Sequence, residues 1–255
     1  VSEHIRCELD GNVLVVRMQR AEKKNALTMA MYEGLIAAYE QLANDAAARV
    51  MLLTGDADCF TSGNDIQDFL QNPPTGPDSP VSRFLVAAEA AEQPVVAAVN
   101  GVAIGVGTTM LLHCDLVYAA RSAMLQMPFI NLALVPENAS SLLLPKIMGR
   151  QLASELLLLG EAFTADRACE LGIVNQVFDD TALYDGAMDV ARKLAAKPPE
   201  AMRLSKRLLK GEGTSVKERI QEEGAIFHER LHSPEAIEAL TAFMERRAPD
   251  FSKFD

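Results

Sequence analysis

Residues 50–54 (VMLLT) and 95–99 (VVAAV) have no polar face, and each runs into a glycine, Gly55 and Gly101. An alternating strand can leave one side in water, but an unbroken apolar run of this length is the pattern of a strand covered on both faces. The chain must therefore supply layers for those faces. Its remaining periodicities are largely helical, and strands alternating with helices point to an α/β fold with covered sheets.

Around these strands the pattern is readable. Residues 12–18 (NVLVVRM), after Asp10-Gly11, form a β-branched run that predicts a strand. A helix is expected over 29–44, with Met31, Leu35, Ala38 and Leu42 on one face and Thr28 as its cap. The prolines and glycine of residues 71–80 (QNPPTGPDSP) predict a loop, followed by a helix from Pro80 or Val81 to about residue 91. Residues 115–119 are a further strand. Helices are expected over 142–148, over 151–159, stopped by Gly160, and over 164–171, capped by Thr164 and stopped by Gly172. Residues 173–178 read as a short strand. From Thr181 onward the pattern is helical, broken at 197–199, 211–213 and 233–234. This divides the chain into an α/β body, 1–197, and a helical region, 198–255. No repeat of fixed period is present.

Composition removes some functions. The 255 residues are 49% hydrophobic and 23% charged, enough for a large buried core, and carry a formal net charge of −11. That charge argues against nucleic acid or an anionic membrane as partner. The apolar stretch 94–120 is broken by Asn100, His113 and Asp115 and punctuated by glycines, so it is a buried strand, tight turn and buried helix rather than a membrane span. The start VSEHIRCELDG lacks the apolar run of a signal peptide, and Cys7, Cys59, Cys114 and Cys169 are scattered without a CxxC pair. A reducing cytoplasm fits, and neither disulfides nor a metal site is expected.

Two glycine-containing turns follow buried strands: residues 60–66 (FTSGNDI) and 100–107 (NGVAIGVG). Glycine permits left-handed backbone and close approach to a ligand. One backbone N–H from each turn, aimed at one point, would form an oxyanion hole, helped by the dipole of a helix starting near Gly105. The plainer reading is two tight turns in a packed core. GVG lacks the spacing of a dinucleotide-binding loop. Glu137, after the apolar stretch 129–135 and before a small-residue run, is either a helix-start acid or a carboxylate whose pKa burial raises toward general-base range. Thr61, Ser62 and Ser141 have no evident His–Asp partners, and His113 reads as a core histidine. His4 falls in the N-terminal tail. His228 and His232, four residues apart, lack a third metal ligand.

Taken together, residues 24–27 (KNAL), 60–66, 94–101 (PVVAAVNG), 115–119, 160–174 (GEAFTADRACELGIV) and 243–247 (FMERR) resemble the crotonase superfamily, the enoyl-CoA hydratase/isomerase family. The resemblance covers nearly the whole chain. It implies a β-β-α superhelix of the ClpP/crotonase type, a C-terminal helical region that makes trimer contacts, and a homotrimer or dimer of trimers. It also implies work on an acyl-CoA thioester, with coenzyme A part of the substrate and no separate cofactor, in fatty acid metabolism such as β-oxidation.

Carried over residue by residue, the resemblance makes the N–H groups of Asn64 and Val106 the oxyanion donors, Val106 standing where the family usually has glycine. Lys24, Ala26, Leu27, Ser62, Gly63, Asp65, Ile66, Gly105, Phe129, Pro136 and Arg246 fall at substrate- or CoA-binding positions, and Lys24 and Arg246 would offset the acidic field around CoA phosphates. The two glutamates that family hydratases use are replaced by Thr109 and Phe129. Glu137, with Asn64-Asp65, Pro128-Phe129 and Ser140-Ser141, resembles the peroxisomal-type Δ3,Δ2-enoyl-CoA isomerases, in which one glutamate shuttles the proton. Another crotonase reaction, hydration or ring isomerisation included, and a non-catalytic CoA-binding protein remain the alternatives.

Overall fold

The computed structural model describes residues 2–56, 58–72, 76–211 and 233–254. The two apolar runs form β3 (Val50–Gly55) and β5 (Val95–Val99), with every residue buried. They pair in parallel, Leu52 opposite Val96, inside a six-stranded sheet. Its order is β1 (Ile5–Asp10), β2 (Val13–Met18), β3, β5, β7 (Leu116–Ala120) and β10 (Gln176–Phe178). All neighbours are parallel except the β1–β2 hairpin.

A second, four-stranded sheet holds β4 (Cys59–Thr61), β6 (Val102–Ile104), β8 (Met124–Gln126) and β9 (Phe163–Thr164) in that order. β4, β6 and β8 each follow a strand of the first sheet within a few residues, and helical segments then lead back to that sheet. Three successive β-β-α turns result, the superhelix that the resemblance implies. The crossing between sheets demands glycine. A Cβ on Gly101, whose φ is 125°, would lie 2.0 Å from the Asp58 carbonyl oxygen, and one on Gly55 equally close to that of Cys59. Neither contact is possible for a real side chain.

Helix α1 (Met29–Asn44) begins where Thr28 Oγ1 accepts the Met31 N–H, and buries Met31, Tyr32, Leu35 and Leu42. Short α2 (Ile66–Gln71) leads to α3 (Pro80–Ala90), which packs on α1 through Phe84 against Tyr32 and Tyr39, ring centroids 5.4 and 6.2 Å apart. Then come α4 (Val106–Thr109), α5 (Ser140–Met148), α6 (Arg150–Ser154), α7 (Ala165–Glu170), α8 (Leu183–Ala195), α9 (Pro199–Lys210) and α10 (Pro234–Glu245). α8 packs on β3, β5 and β7. α9 is tied to the same sheet by Lys206, whose Nζ meets both Asp115 Oδ2 and the Gln93 carbonyl at 2.7 Å. Asp115 Oδ2 also accepts the Val95 N–H. The change from strands to helices near residue 198 is therefore no break in packing.

Several sequence expectations are corrected. Residues 5–10, which the sequence pattern leaves unassigned, are an edge strand, with only Ile5 buried and charges at Arg6, Glu8 and Asp10, a pattern that protects an edge and hides it from apolar periodicity. His4 sits at its foot, its Nδ1 3.1 Å from the Gln19 carbonyl. Gln71 closes α2 instead of opening the loop. The helix expected over 142–148 begins earlier, at Ser140. The one expected over 151–159 widens after Ser154 into a π turn (Glu155–Leu159) that ends at left-handed Gly160. The strand expected over 173–178 shortens to β10. His228 and His232 lie outside the described residues. Among those residues, no helix is long and apolar enough to cross a membrane.

Candidate active site

The two glycine turns are built as a pair. β4 and β6 run parallel with Thr61 opposite Ala103, so Asn64 and Val106, each three residues further on, leave adjacent strands at equivalent positions. Glycines hold the turns together. A Cβ on Gly63, whose φ is 87°, would lie 2.6 Å from the Ile104 carbonyl oxygen, and one on Gly107 would lie 2.6 Å from Thr61 Cγ2. Gly105, with φ 60° and ψ −120°, precedes α4, whose first N–H belongs to Val106. The N–H groups of Asn64 and Val106 have no acceptor among the described residues, whereas those of Gly63, Asp65, Thr108 and Thr109 are all bonded. Two unused donors at matched positions on touching turns are what an oxyanion hole requires.

The segment 24–27 zips along the first turn. Leu27 donates to the Gly63 carbonyl and accepts from Asp65, both at 2.8 Å, and Ser62 donates to the Lys24 carbonyl at 2.9 Å. Lys24 and Asn25 take left-handed φ values of 50° and 52°, a conformation that asparagine tolerates better than most residues. Asn25 is fully buried. Its Nδ2 donates to the carbonyls of Cys59 (2.7 Å) and Phe60 (3.2 Å), and its Oδ1 accepts the Arg20 N–H at 2.7 Å. Sequence reasoning quoted Asn25 only as part of a motif and missed this organising role. Nothing in its neighbourhood signalled it, since residues 21–24 are exposed and Ala26 is only half-buried.

Asp65 spends its carboxylate on shaping the turn. It caps α2 through the N–H groups of Gln67 and Asp68 and pairs with Arg20 at 2.7 Å, contacts that hold its pKa below the usual carboxylate value. Asp68 in turn accepts the Met29 N–H. Ile66 is exposed at the start of α2.

Glu137 arrives from the third β-β-α turn. Its carboxylate is not a helix-start group, since the backbone carbonyl does that work, accepting from the Ser140 N–H (3.0 Å) and Oγ (2.7 Å). The chain turns sharply here, with Asn138 and Ala139 both left-handed at φ 53° and 55°. His113 is half-buried rather than the core histidine expected, and its Nε2 lies 3.0 Å from the Asn138 carbonyl. The carboxylate points instead to α4, where it accepts a short hydrogen bond from Thr109 Oγ1. Burial pushes its pKa up to about 7, against the opposing pull of the Thr109 hydroxyl.

The apolar stretch before Glu137 is not a buried one. Phe129 is buried, but Ile130, Leu132, Leu134 and Val135 are exposed, Val135 at 78%. Thr109, which is hydrogen-bonded to Glu137, and Tyr32 are both fully buried. Tyr32 is a second residue missed from sequence. Its hydroxyl donates to Asn64 Oδ1 at 2.5 Å, and its pKa is raised well above normal, first by burial and then by the charge of Glu137. Tyr32 thus binds the first turn and feels the charge of the carboxylate, while Thr109, on the helix of the second turn, is hydrogen-bonded to it. Pro136 is half-buried beside Glu137, while Arg246 is exposed just after α10 with φ 56°.

Comparisons with known proteins show the family. The family model for enoyl-CoA hydratase/isomerase matches residues 8–253. The 1,2-epoxyphenylacetyl-CoA isomerase of Escherichia coli (strain K12) is 35% identical, over 98% of this chain and 98% of that protein. Human enoyl-CoA delta isomerase 2 is 31% identical over 94% of this chain, which spans 62% of that protein's length. A solved structure from Magnetospirillum magneticum AMB-1 superimposes with a TM-score of 0.96 at 44% identity, covering 99% of this chain and 100% of that one. With strands that alternate between two sheets joined by helices, and with a family model that spans nearly its whole length, the chain belongs to the enoyl-CoA hydratase/isomerase family of the crotonase superfamily.

Proposed function

We propose that the chain is a Δ3,Δ2-enoyl-CoA isomerase in which Glu137 removes a proton from C2 of a 3-enoyl thioester and returns it at C4. The observation that carries this reading is the state of Glu137, a carboxyl tied to the helix of one oxyanion donor and pushed up to about 7. A base poised there is partly ionised at neutral pH and, once protonated, is an acid able to give the proton back. The other acids near the first turn, Asp65 and Asp68, are committed to caps and to Arg20. The N–H groups of Asn64 and Val106 would take the charge that collects on the thioester oxygen in the dienolate. C2 and C4 are close enough for one carboxylate to serve both. Phe129, buried where a hydratase would hold a glutamate, disfavours a bound water and hence hydration.

In this reading the coenzyme A portion lies along the 24–27 segment and residues 62–66, with the cations of Lys24 and Arg246 available to its phosphates. The substrate itself brings the coenzyme, and the chemistry as proposed uses no metal or further cofactor. We also assign the C-terminal region, 198–255, to contacts of a homotrimer or dimer of trimers, following the family resemblance. A second reading is favoured by the Escherichia coli relative, whose name specifies an epoxyphenylacetyl-CoA substrate. There the same hole and base would serve a ring isomerisation.

Substrate profiling of the purified protein separates the readings. Conversion of 3-enoyl-CoA to the conjugated 2-enoyl-CoA, without accumulation of 3-hydroxyacyl-CoA, is the expected result. Turnover confined to an epoxide or to hydration would replace it. The Thr109 hydrogen bond gives a further expectation. It favours the ionised form of Glu137, so Thr109→Val should raise the pKa of the base and move the acid limb of the kcat/KM profile to higher pH. A hydrogen bond to a charged group is worth roughly 1.5 kcal/mol, so the shift should be about one pH unit. A pH-rate profile checks it, and an unmoved or acid-shifted limb would contradict the assignment.

A further inference from the structure

The oxyanion position carries a polar side chain, and the core holds it in one orientation. Asn64 Oδ1 is bound by the hydroxyl of Tyr32, which has no exposure to solvent and reaches across from α1. Asn64 Nδ2 has no protein acceptor among the described residues, yet it is not among the buried polar atoms that lack a partner. It is therefore accessible. The carboxamide dipole thus has its oxygen end tied inward and its N–H₂ end free, on the residue whose backbone N–H is also unused. An amide free to rotate would present its oxygen as readily as its nitrogen, and an oxygen there opposes the negative charge that develops on an enolate.

We infer that Tyr32 is a positioning residue that locks the Asn64 carboxamide with its N–H₂ group outward, so that Asn64 supports the enolate with its side-chain dipole as well as its backbone N–H. Tyr32 acts through Asn64 and touches no substrate atom in this account. The inference rests on the oxyanion role proposed above, but it can fail separately. Isomerisation needs the proton to reach C4, whereas exchange of the C2 protons of a saturated acyl-CoA with deuterated solvent needs only the hole and the base.

The test is the rate of C2 exchange in butyryl-CoA, followed by mass spectrometry, for wild type, Tyr32→Phe, Asn64→Ala and the double variant. Tyr32→Phe keeps the ring that packs on Phe84 and removes only the hydroxyl. It should lower the maximal exchange rate about tenfold with little change in the half-saturating concentration, since the dipole acts on the charge that forms in the transition state. In the Asn64→Ala background the same change should alter the rate less than about twofold, because the group it orients is gone. Equal losses in both backgrounds would place the effect of Tyr32 on packing or on Glu137 and overturn the inference. So would a Tyr32→Phe single variant that exchanges at the wild-type rate. The isomerase reading is judged apart from this, on whether wild type converts 3-enoyl-CoA.

Discussion

Replacing Glu137 with glutamine should lower turnover of 3-enoyl-CoA by about 10²- to 10⁴-fold, the contribution of a positioned base, while acyl-CoA binding measured by calorimetry changes only a few-fold. Glutamine keeps the shape and can still accept from Thr109 Oγ1, but it cannot take a proton from C2. The loss must also be shown not to be unfolding, and the electrostatics supply that control. The ordinary value for this carboxyl is 4.5 and burial raises it to about 7 in the fold. Between those pH values the folded protein holds a proton that the unfolded chain has released, so rising pH removes stability across that window and the penalty is complete above it. Glutamine has no such penalty. Glu137→Gln should therefore be more stable than wild type at pH 8, by about 2 kcal/mol once the partial exposure of the carboxyl is allowed for, and the difference should fade toward pH 4.5. An inactive but stabilised variant is the signature of a strained functional carboxylate. Full activity in Glu137→Gln would remove Glu137 from the mechanism.

The second large effect belongs to the backbone. Val106→Pro deletes the N–H at the first position of α4, the one helical position where proline is well tolerated because that N–H has no intrahelical acceptor. If that N–H stabilises the oxyanion, kcat should fall about 10²- to 10³-fold, with KM changed much less. Steady-state kinetics on 3-enoyl-CoA, with circular dichroism to confirm folding, checks this. A folded Val106→Pro protein with wild-type kcat would leave Asn64 as the sole backbone donor and break the paired-turn account.

How much of this was legible in the sequence differs by element, for physical reasons. The runs that became β3 and β5 were readable because burial on both faces leaves no polar residue to confuse the period. The three-residue strands β4, β6 and β8 were not, since three residues carry no periodicity; β4 and β6 fell largely within the segments read as turns, and β8 was not read at all. They are what brings Asn64 and Val106 to matched positions. β1 was hidden by the charges that protect its edge. Within the site, the positions of Glu137, Asn64 and Val106 came from motif resemblance rather than from local physics, which left each open to a plainer reading. The partners of these residues were beyond reach. The Tyr32–Asn64 and Thr109–Glu137 hydrogen bonds span 32 and 28 residues, and Tyr32 looks on a helical pattern like any other core aromatic. Nor does a run of apolar residues reveal its exposure: of residues 129–135 only Phe129 is buried.

In the proposed reaction one carboxylate carries the proton from C2 to C4 while water stays out. This transfer is tested most directly by giving the wild-type protein 3-hexenoyl-CoA deuterated at C2 in ordinary water and locating the label in the product by NMR. The account predicts conjugated 2-hexenoyl-CoA with part of the deuterium now at C4, carried there by Glu137, and no accumulation of 3-hydroxyhexanoyl-CoA. A hydrated product, or a conjugated product with no deuterium at C4 even at the earliest turnovers, would contradict it.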